Sequence, residues 1–90
     1  MKRLIDQRVV GVIGEASSGL SIAGAKVAQE NKVPMITPSS TNPKVTQAGD
    51  YVFRACFVDA FQGTVMAKFA YQDLRATNVA VMRDLKSEYS

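Results

Sequence analysis

The sequence predicts an α/β fold built on a parallel sheet, and three observations carry that expectation. Val9-Val10-Gly11-Val12-Ile13 is apolar on both faces apart from Gly11, as expected of a strand covered by helices on either side. A helical run to Lys32 follows it, and then a second apolar strand, Val33-Pro34-Met35-Ile36. Strand, helix and strand within about 30 residues make a βαβ unit, so the two strands should run parallel with a right-handed crossover. Each strand also ends in a hydroxyl-rich turn: Glu15-Ala16-Ser17-Ser18-Gly19 after the first and Thr37-Pro38-Ser39-Ser40-Thr41 after the second. Both turns therefore lie at the carboxyl ends of their strands, the edge where open α/β sheets bind small ligands.

The elements follow in order. Lys2 to Gln7 reads as the last turn of a helix, with Leu4 and Ile5 packing, which implies a chain that begins inside a larger fold. Gly14 ends the first strand, and Ser17 or Ser18 suits the N-cap of the helix that begins near Gly19, since a serine oxygen accepts an orphan first-turn N–H. On that helix Leu20, Ala23, Val27 and Ala28 fall at helical spacing with Ile22 and Ala25 flanking, while Lys26, Gln29, Glu30 and Lys32 take the wet face. Asn31-Lys32 is a helix stop.

Thr41 to Asp50 is a turn-rich connection. Tyr51 to Phe57 alternates, with Tyr51, Phe53, Ala55 and Phe57 on one face and Val52, Arg54 and Cys56 on the other, and reads as a short strand suited to an edge. Asp59 and Gln62 stand at the N-cap and N3 positions of a capping box. The helix after them should reach about Leu74, carrying adjoining apolar stripes of Phe61, Val65, Phe69 and Met66, Ala70, Leu74. Asn78 to Asp84 reads as a third core-type strand. With no helix after it, its edge is open to pairing with another chain, and both termini read as cut.

Composition narrows the function classes. With 90 residues, 47% hydrophobic and 21% charged, the chain is at most one small globular domain. The net charge of +3 comes from basic residues scattered along the chain, which argues against a nucleic-acid surface. One cysteine, Cys56, and no histidine leave neither a metal-ligand cluster nor a Cys/His nucleophile, and Cys56 fits a small buried hydrophobe in its strand. Met1-Lys2-Arg3 is followed by only Leu4-Ile5 before Asp6, too short for a signal peptide, and no apolar run approaches the ~20 residues of a membrane helix.

No catalytic pair emerges. Gly-x-Ser-x-Gly is absent and a serine nucleophile would lack a histidine base. Gly14-x-x-x-x-Gly19 lacks the Lys-Ser/Thr of a phosphate-binding loop, and Gly11-x-x-Gly14 does not give G-x-G-x-x-G, so no cofactor is expected. What remains is the chemistry of the turns. Ser17-Ser18-Gly19 offers hydroxyls and free N–H groups at the positive end of a helix, which serve an anion or simply cap the helix. Ser39-Ser40-Thr41 opens onto the same rim. A carboxylate at the helix turn and an ammonium at carbonyls and Thr41 would make an α-amino-acid clamp, although Pro38, Asn42 and Pro43 also account for a plain loop. Asp59 has a full explanation as an N-cap and Tyr89 as a tail aromatic.

Taken together, these segments resemble the type I periplasmic binding proteins of ABC transporters, in particular the branched-chain amino-acid (leucine/isoleucine/valine) group. The resemblance lies in Val10-Gly11-Val12-Ile13-Gly14 with Ser18-Gly19, and in Pro34-Met35-Ile36-Thr37-Pro38-Ser39-Ser40-Thr41-Asn42-Pro43. It continues through Tyr51-Val52-Phe53-Arg54, Asp59-Ala60-Phe61-Gln62-Gly63 and Val79-Ala80-Val81-Met82-Arg83-Asp84 to Tyr89. It implies a fragment of a parallel, doubly wound (flavodoxin-like) lobe, with residues 1–77 the later part of the first ligand-binding lobe and 78–90 the first strand and turn of the second. It implies no enzyme activity, a periplasmic parent protein, and a permease as partner. By position, Ser18 matches the serine that holds the ligand α-carboxylate, Ser39 a residue offering its carbonyl to the α-ammonium, and Thr41 the threonine that contacts both. Asp59 and Tyr89 match cleft positions, Tyr89 on the far lobe. Ser39-Ser40 replace alanines common in that family, and Ser90 stands where it usually has glycine. A half-site lacking its opposing lobe is expected to bind amino acids weakly or not at all, and exposed strand edges favour a homodimer. Two other readings stay open: a ligand-sensing domain of a regulator or receptor with the same fold, and a flavodoxin-like nucleotide- or phosphate-handling domain.

Overall fold

The computed structural model describes residues 1–90. A short helix α1 (Lys2–Asp6) leads to strand β1 (Val12–Ile13), helix α2 (Ser18–Glu30) and strand β2 (Met35–Thr37). A 3₁₀ helix (Pro43–Ala48), strand β3 (Val52–Arg54) and helix α3 (Asp59–Lys68) follow, and α3 continues as a π-helical segment, Phe69–Asp73. The strands form one sheet in the order β1-β2-β3, every pair parallel, with Val12 beside Met35 and Met35 beside Val52. The parallel pairing of β1 and β2 around α2 is the βαβ unit expected from the sequence.

Side-chain alternation sets which face is dry. Met35 and Val52 point to the face that α2 and the 3₁₀ helix cover, where they join Ala25, Ala28 and Val45 in the core, with Met1, Val12, Ile22 and Ala48 packed around them. Ile13, Ile36 and Phe53 occupy the opposite face, and Ile13 is 84% exposed. The expected two-sided strand over Val9–Ile13 is therefore corrected. Only Val12–Ile13 pairs, and only one face of the sheet is covered, because no helix of the chain lies against the other.

Helix α2 packs through Ser18, Ser21, Gly24, Ala25 and Ala28; of the expected stripe Ala28 and the flanking Ala25 are buried, whereas Leu20 and Ala23 face outward and Val27 is half-buried. Small side chains let the helix axis come close to Met35. A Cβ on Gly24 would already sit 3.7 Å from the Met35 Cε. Leu20 is 60% exposed and, with Ala23, lines a concavity of about 370 Å³ shared with Met1, Leu4, Val12 and Ile13. Ser17 holds the N-cap position, but its side chain makes no capping bond. At the other end Lys32 takes φ 54°, its N–H donates to Gln29 O at 3.1 Å, and Val33 N–H donates to Ala28 O at 3.0 Å. That pair of bonds is a Schellman motif, with lysine where glycine usually stands.

The connection Thr41–Asp50 is more regular than a turn. Asn42 accepts the Lys44 N–H at 2.9 Å through its side-chain oxygen, and Pro43 fills the first helical position, so the 3₁₀ helix is capped from within the sequence. Gly49 (φ 156°) then turns the chain into β3, and Gln29 braces that turn by accepting Tyr51 N–H at 2.9 Å and donating to Asp50 at 2.8 Å. The edge position of β3 and the inward face Val52/Arg54 agree with the sequence reading.

Helix α3 stands apart. None of its residues is buried, and its aromatic contact is a tilted Phe57–Phe61 pair at 6.3 Å. The N-cap is Val58, with Asp59 the first helical residue and no capping box, because the Asp59 N–H is already taken by the Thr41 carbonyl at 3.0 Å. Asn78–Asp84 forms no strand. Val79, Val81 and Met82 are exposed and no ladder partner lies beside them, without which a strand has no hydrogen bonds to gain. The molecule is elongated, 54 × 23 × 16 Å, and tight packing ends at about Val58. No helix is long and apolar enough to cross a membrane.

Candidate functional site

The carboxyl ends of β1, β2 and β3 meet at one rim, and buried hydroxyls tie them together. The carbonyl oxygen of Glu15 lies within hydrogen-bonding distance of Thr37 Oγ1 (2.6 Å), Ser21 Oγ (3.0 Å) and Ser40 Oγ (3.0 Å), while Ser21 and Ser40 lie 2.6 Å apart. Each hydroxyl has one proton and a carbonyl two lone pairs. A complete assignment has Thr37 and Ser21 donating to Glu15 and Ser40 donating to Ser21. Thr37 in turn accepts the Ser40 N–H at 3.1 Å, and Ser21, Thr37 and Ser40 are all fully buried. The network fastens the loop after β1 to the loop after β2 without charge.

On this platform the expected site residues separate. Ser18 is buried at the first turn of α2, and its Oγ accepts the Asn42 N–H at 3.3 Å, which leaves its own proton uncommitted. Ser39 is exposed and donates to Ala16 O at 3.1 Å, while its carbonyl accepts no bond within the chain. Thr41 is buried, yet its hydroxyl has no partner. The first-turn N–H groups of α2 lack intrahelical acceptors and carry the positive end of the helix dipole. Ser18, Ser39 and Thr41 thus share the rim, with donors on one side and an open carbonyl on the other. Such a set can hold a carboxylate and an ammonium together.

Asp59 and Tyr89 are placed differently. Asp59 joins the rim through its backbone bond to Thr41. Tyr89 is 57% exposed and approaches through its neighbour Glu88, whose carboxylate meets Lys44 at 3.1 Å and whose carbonyl accepts from the Asn42 side chain. The excursion from Asp59 to Glu88 therefore leaves and returns at adjacent residues, Thr41 and Asn42.

Sequence reasoning missed Ser21, Thr37, Ser40 and above all Arg54. Arg54 Nη1 donates to Ser40 O at 3.2 Å and Asn42 O at 2.8 Å, and Nη2 donates to Thr46 Oγ1 at 3.0 Å. The available signal was a charged residue at an inward position of β3. Cys56 is half-buried and free.

Comparison with known proteins bears on this rim. Residues 1–82 match the model of the family described as receptor family ligand binding region. The chain is 39% identical over 84 residues to an amino acid binding protein of Pseudomonas aeruginosa, covering 91% of this chain and 22% of that one. It is 32% identical over 83 residues to Leu/Ile/Val-binding protein homolog 3 of Brucella melitensis, covering 91% and 23%. Among solved structures it is similar to the leucine binding protein LivK of Thermotoga maritima, with a TM-score of 0.94 and 52% identity, covering 99% of this chain and 26% of that one. The chain thus spans about a quarter of the length of these relatives.

Proposed function

The chain belongs to the receptor family ligand-binding region family, and on that premise we propose that it supplies one side of an α-amino-acid site, with branched-chain side chains preferred. The observation that carries this reading is the buried, unpartnered Thr41 hydroxyl beside the first turn of α2. A buried hydroxyl without a partner costs about 1–3 kcal/mol, so its retention at a ligand rim points to a partner that arrives from outside. In the proposed pose the ligand carboxylate takes the N–H groups at the start of α2 with the Ser18 and Thr41 hydroxyls, and the ammonium takes the Ser39 carbonyl and Thr41. Asp59 and Tyr89 border the cleft. The chain binds and performs no chemistry, in keeping with relatives named as binding proteins.

Ligand is held between two lobes of a longer protein, which works in the periplasm and delivers to an ABC permease. In that longer protein residues 1–77 belong to the first lobe and residues 78–90 to the second. The 90-residue chain pairs with a second copy through its open strand edges.

The test is a titration of the 90-residue chain with leucine, isoleucine, valine and inorganic phosphate, followed by amide resonances. Because the opposing side of the cleft is missing, affinity of millimolar order or weaker is expected, about −4 kcal/mol. Leucine should shift Ser18, Gly19, Leu20 and Thr41 and leave the β-ladder unmoved, and Thr41→Val should abolish the response. A response to phosphate alone would favour the phosphate-handling reading, and nanomolar leucine binding by the monomer would overturn the half-site.

A further inference from the structure

We propose that Arg54 is the positioning residue of the site, the group that fixes Thr41 in its unpartnered state; this rests on the amino-acid reading above. Thr41 is bracketed by two carbonyls, those of Ser40 and Asn42, and a single nitrogen of Arg54 donates to both, at 3.2 and 2.8 Å. One planar group thereby sets the Ser40–Thr41 and Asn42–Pro43 peptides, one before and one after Thr41, and the bond from Nη2 to Thr46 anchors the fork to the 3₁₀ helix at 3.0 Å. Two further bonds depend on the loop holding this path: Asn42 N–H to Ser18 Oγ at 3.3 Å, and Asp59 N–H to Thr41 O at 3.0 Å.

Arg54 also differs from an ordinary structural arginine in its partners. The one ion pair of the chain is Lys44–Glu88, so the half-buried guanidinium faces three neutral oxygens and no carboxylate. Its charge stays uncompensated next to the loop that would receive a ligand carboxylate, where reduced solvent screening strengthens its field. Geometry and charge work in the same direction. The fork shape of Arg54 matters to this role, since it lets Nη1 reach both carbonyls while Nη2 is anchored on Thr46, an arrangement that the single nitrogen of an ammonium does not hold in a fixed plane.

The experiment is hydrogen exchange by NMR on the 90-residue chain, comparing Arg54→Met, Arg54→Lys and Thr46→Val with the parent sequence. The reporters are the Asn42 and Asp59 amides at the rim. The controls are the ladder amides of Val12, bonded to Pro34 O at 2.8 Å, and Met35, bonded to Tyr51 O at 2.8 Å. Arg54→Met should raise exchange at the two rim amides at least about tenfold while the controls stay within about twofold. Arg54→Lys should recover part of the protection, and Thr46→Val, a milder change that keeps the two carbonyl bonds, should raise rim exchange about threefold. Rim and control amides accelerating together in Thr46→Val, or rim amides unmoved in both Arg54 variants, would overturn the proposal. Adding leucine separates the two inferences. A parent chain with no leucine shift but the expected exchange pattern defeats the amino-acid reading and leaves the hold of Arg54 on the loop standing. A leucine response that survives undiminished in a folded Arg54→Met chain defeats the positioning role alone.

Discussion

Thr41 is asked to be buried and unsatisfied at once, and the two demands trade stability against binding. Replacing it with valine keeps the shape and removes the orphan oxygen, so Thr41→Val should raise unfolding free energy by about 1 kcal/mol while eliminating the leucine response. Urea denaturation read beside the titration checks both halves, and a destabilised variant would mean that the hydroxyl has a partner in the free protein. At this scale part of the site was readable beforehand. The turns Ser17-Ser18-Gly19 and Ser39-Ser40-Thr41 could be named because they follow strand ends in a βαβ unit, which topology brings together, whereas the roles of Ser18, Ser39 and Thr41 came from the family resemblance. The direction of each hydroxyl could not be read. Ser40 turns inward to Ser21 and Glu15 while Ser39 beside it faces water, and nothing in a Ser-Ser pair says which does which. Arg54 was equally silent, because its partners are backbone carbonyls, which every residue carries.

Among the elements, two backbone positions carry definite expectations. Lys32 ends α2 in a left-handed conformation that costs an L-residue about 1 kcal/mol or more. Lys32→Gly relieves this and gives back part of the gain as unfolded-state entropy, so a net stabilisation of about 0.5 kcal/mol is expected in urea titrations. Gly49 behaves in the opposite way. Its φ of 156° with ψ −175° is accessible essentially to glycine alone, and a Cβ there would overlap the Gln29 side chain. Gly49→Ala should therefore destabilise by about 1–3 kcal/mol and loosen the Tyr51 amide that Gln29 holds. Periodicity located α1, α2, α3 and the three paired strands, since those signals are local, and it passed over the 3₁₀ helix Pro43–Ala48. It misjudged the inward face of α2, where close approach to Met35 selected serine, glycine and alanine over the larger Leu20. It also gave a strand at Asn78–Asp84, where apolar character was present and a pairing partner was not.

As a whole the molecule exposes 6912 Å², whereas a folded chain of this size is expected to expose about 5,100 Å². Its radius of gyration of 16.3 Å likewise exceeds the expected value of about 12 Å. The surplus is of the order that a stable dimer interface removes from water. Light scattering should accordingly report a mass of two chains, unchanged by leucine. Ile13→Lys, which places a charge on the open edge of the sheet without touching the core, should shift the population to monomer. A monomeric parent chain would refute the pairing. The extended shape comes from one excursion, Asp59 to Glu88, whose two ends are held by neighbouring residues of a single loop, the Thr41 carbonyl at one end and the Asn42 side chain at the other. Thirty residues can thus be lengthened, shortened or exchanged while entry and exit stay fixed, as with a cassette in a socket. The rim is the fixed joint of such an arrangement, and length or sequence can change beyond it without rebuilding the sheet beneath.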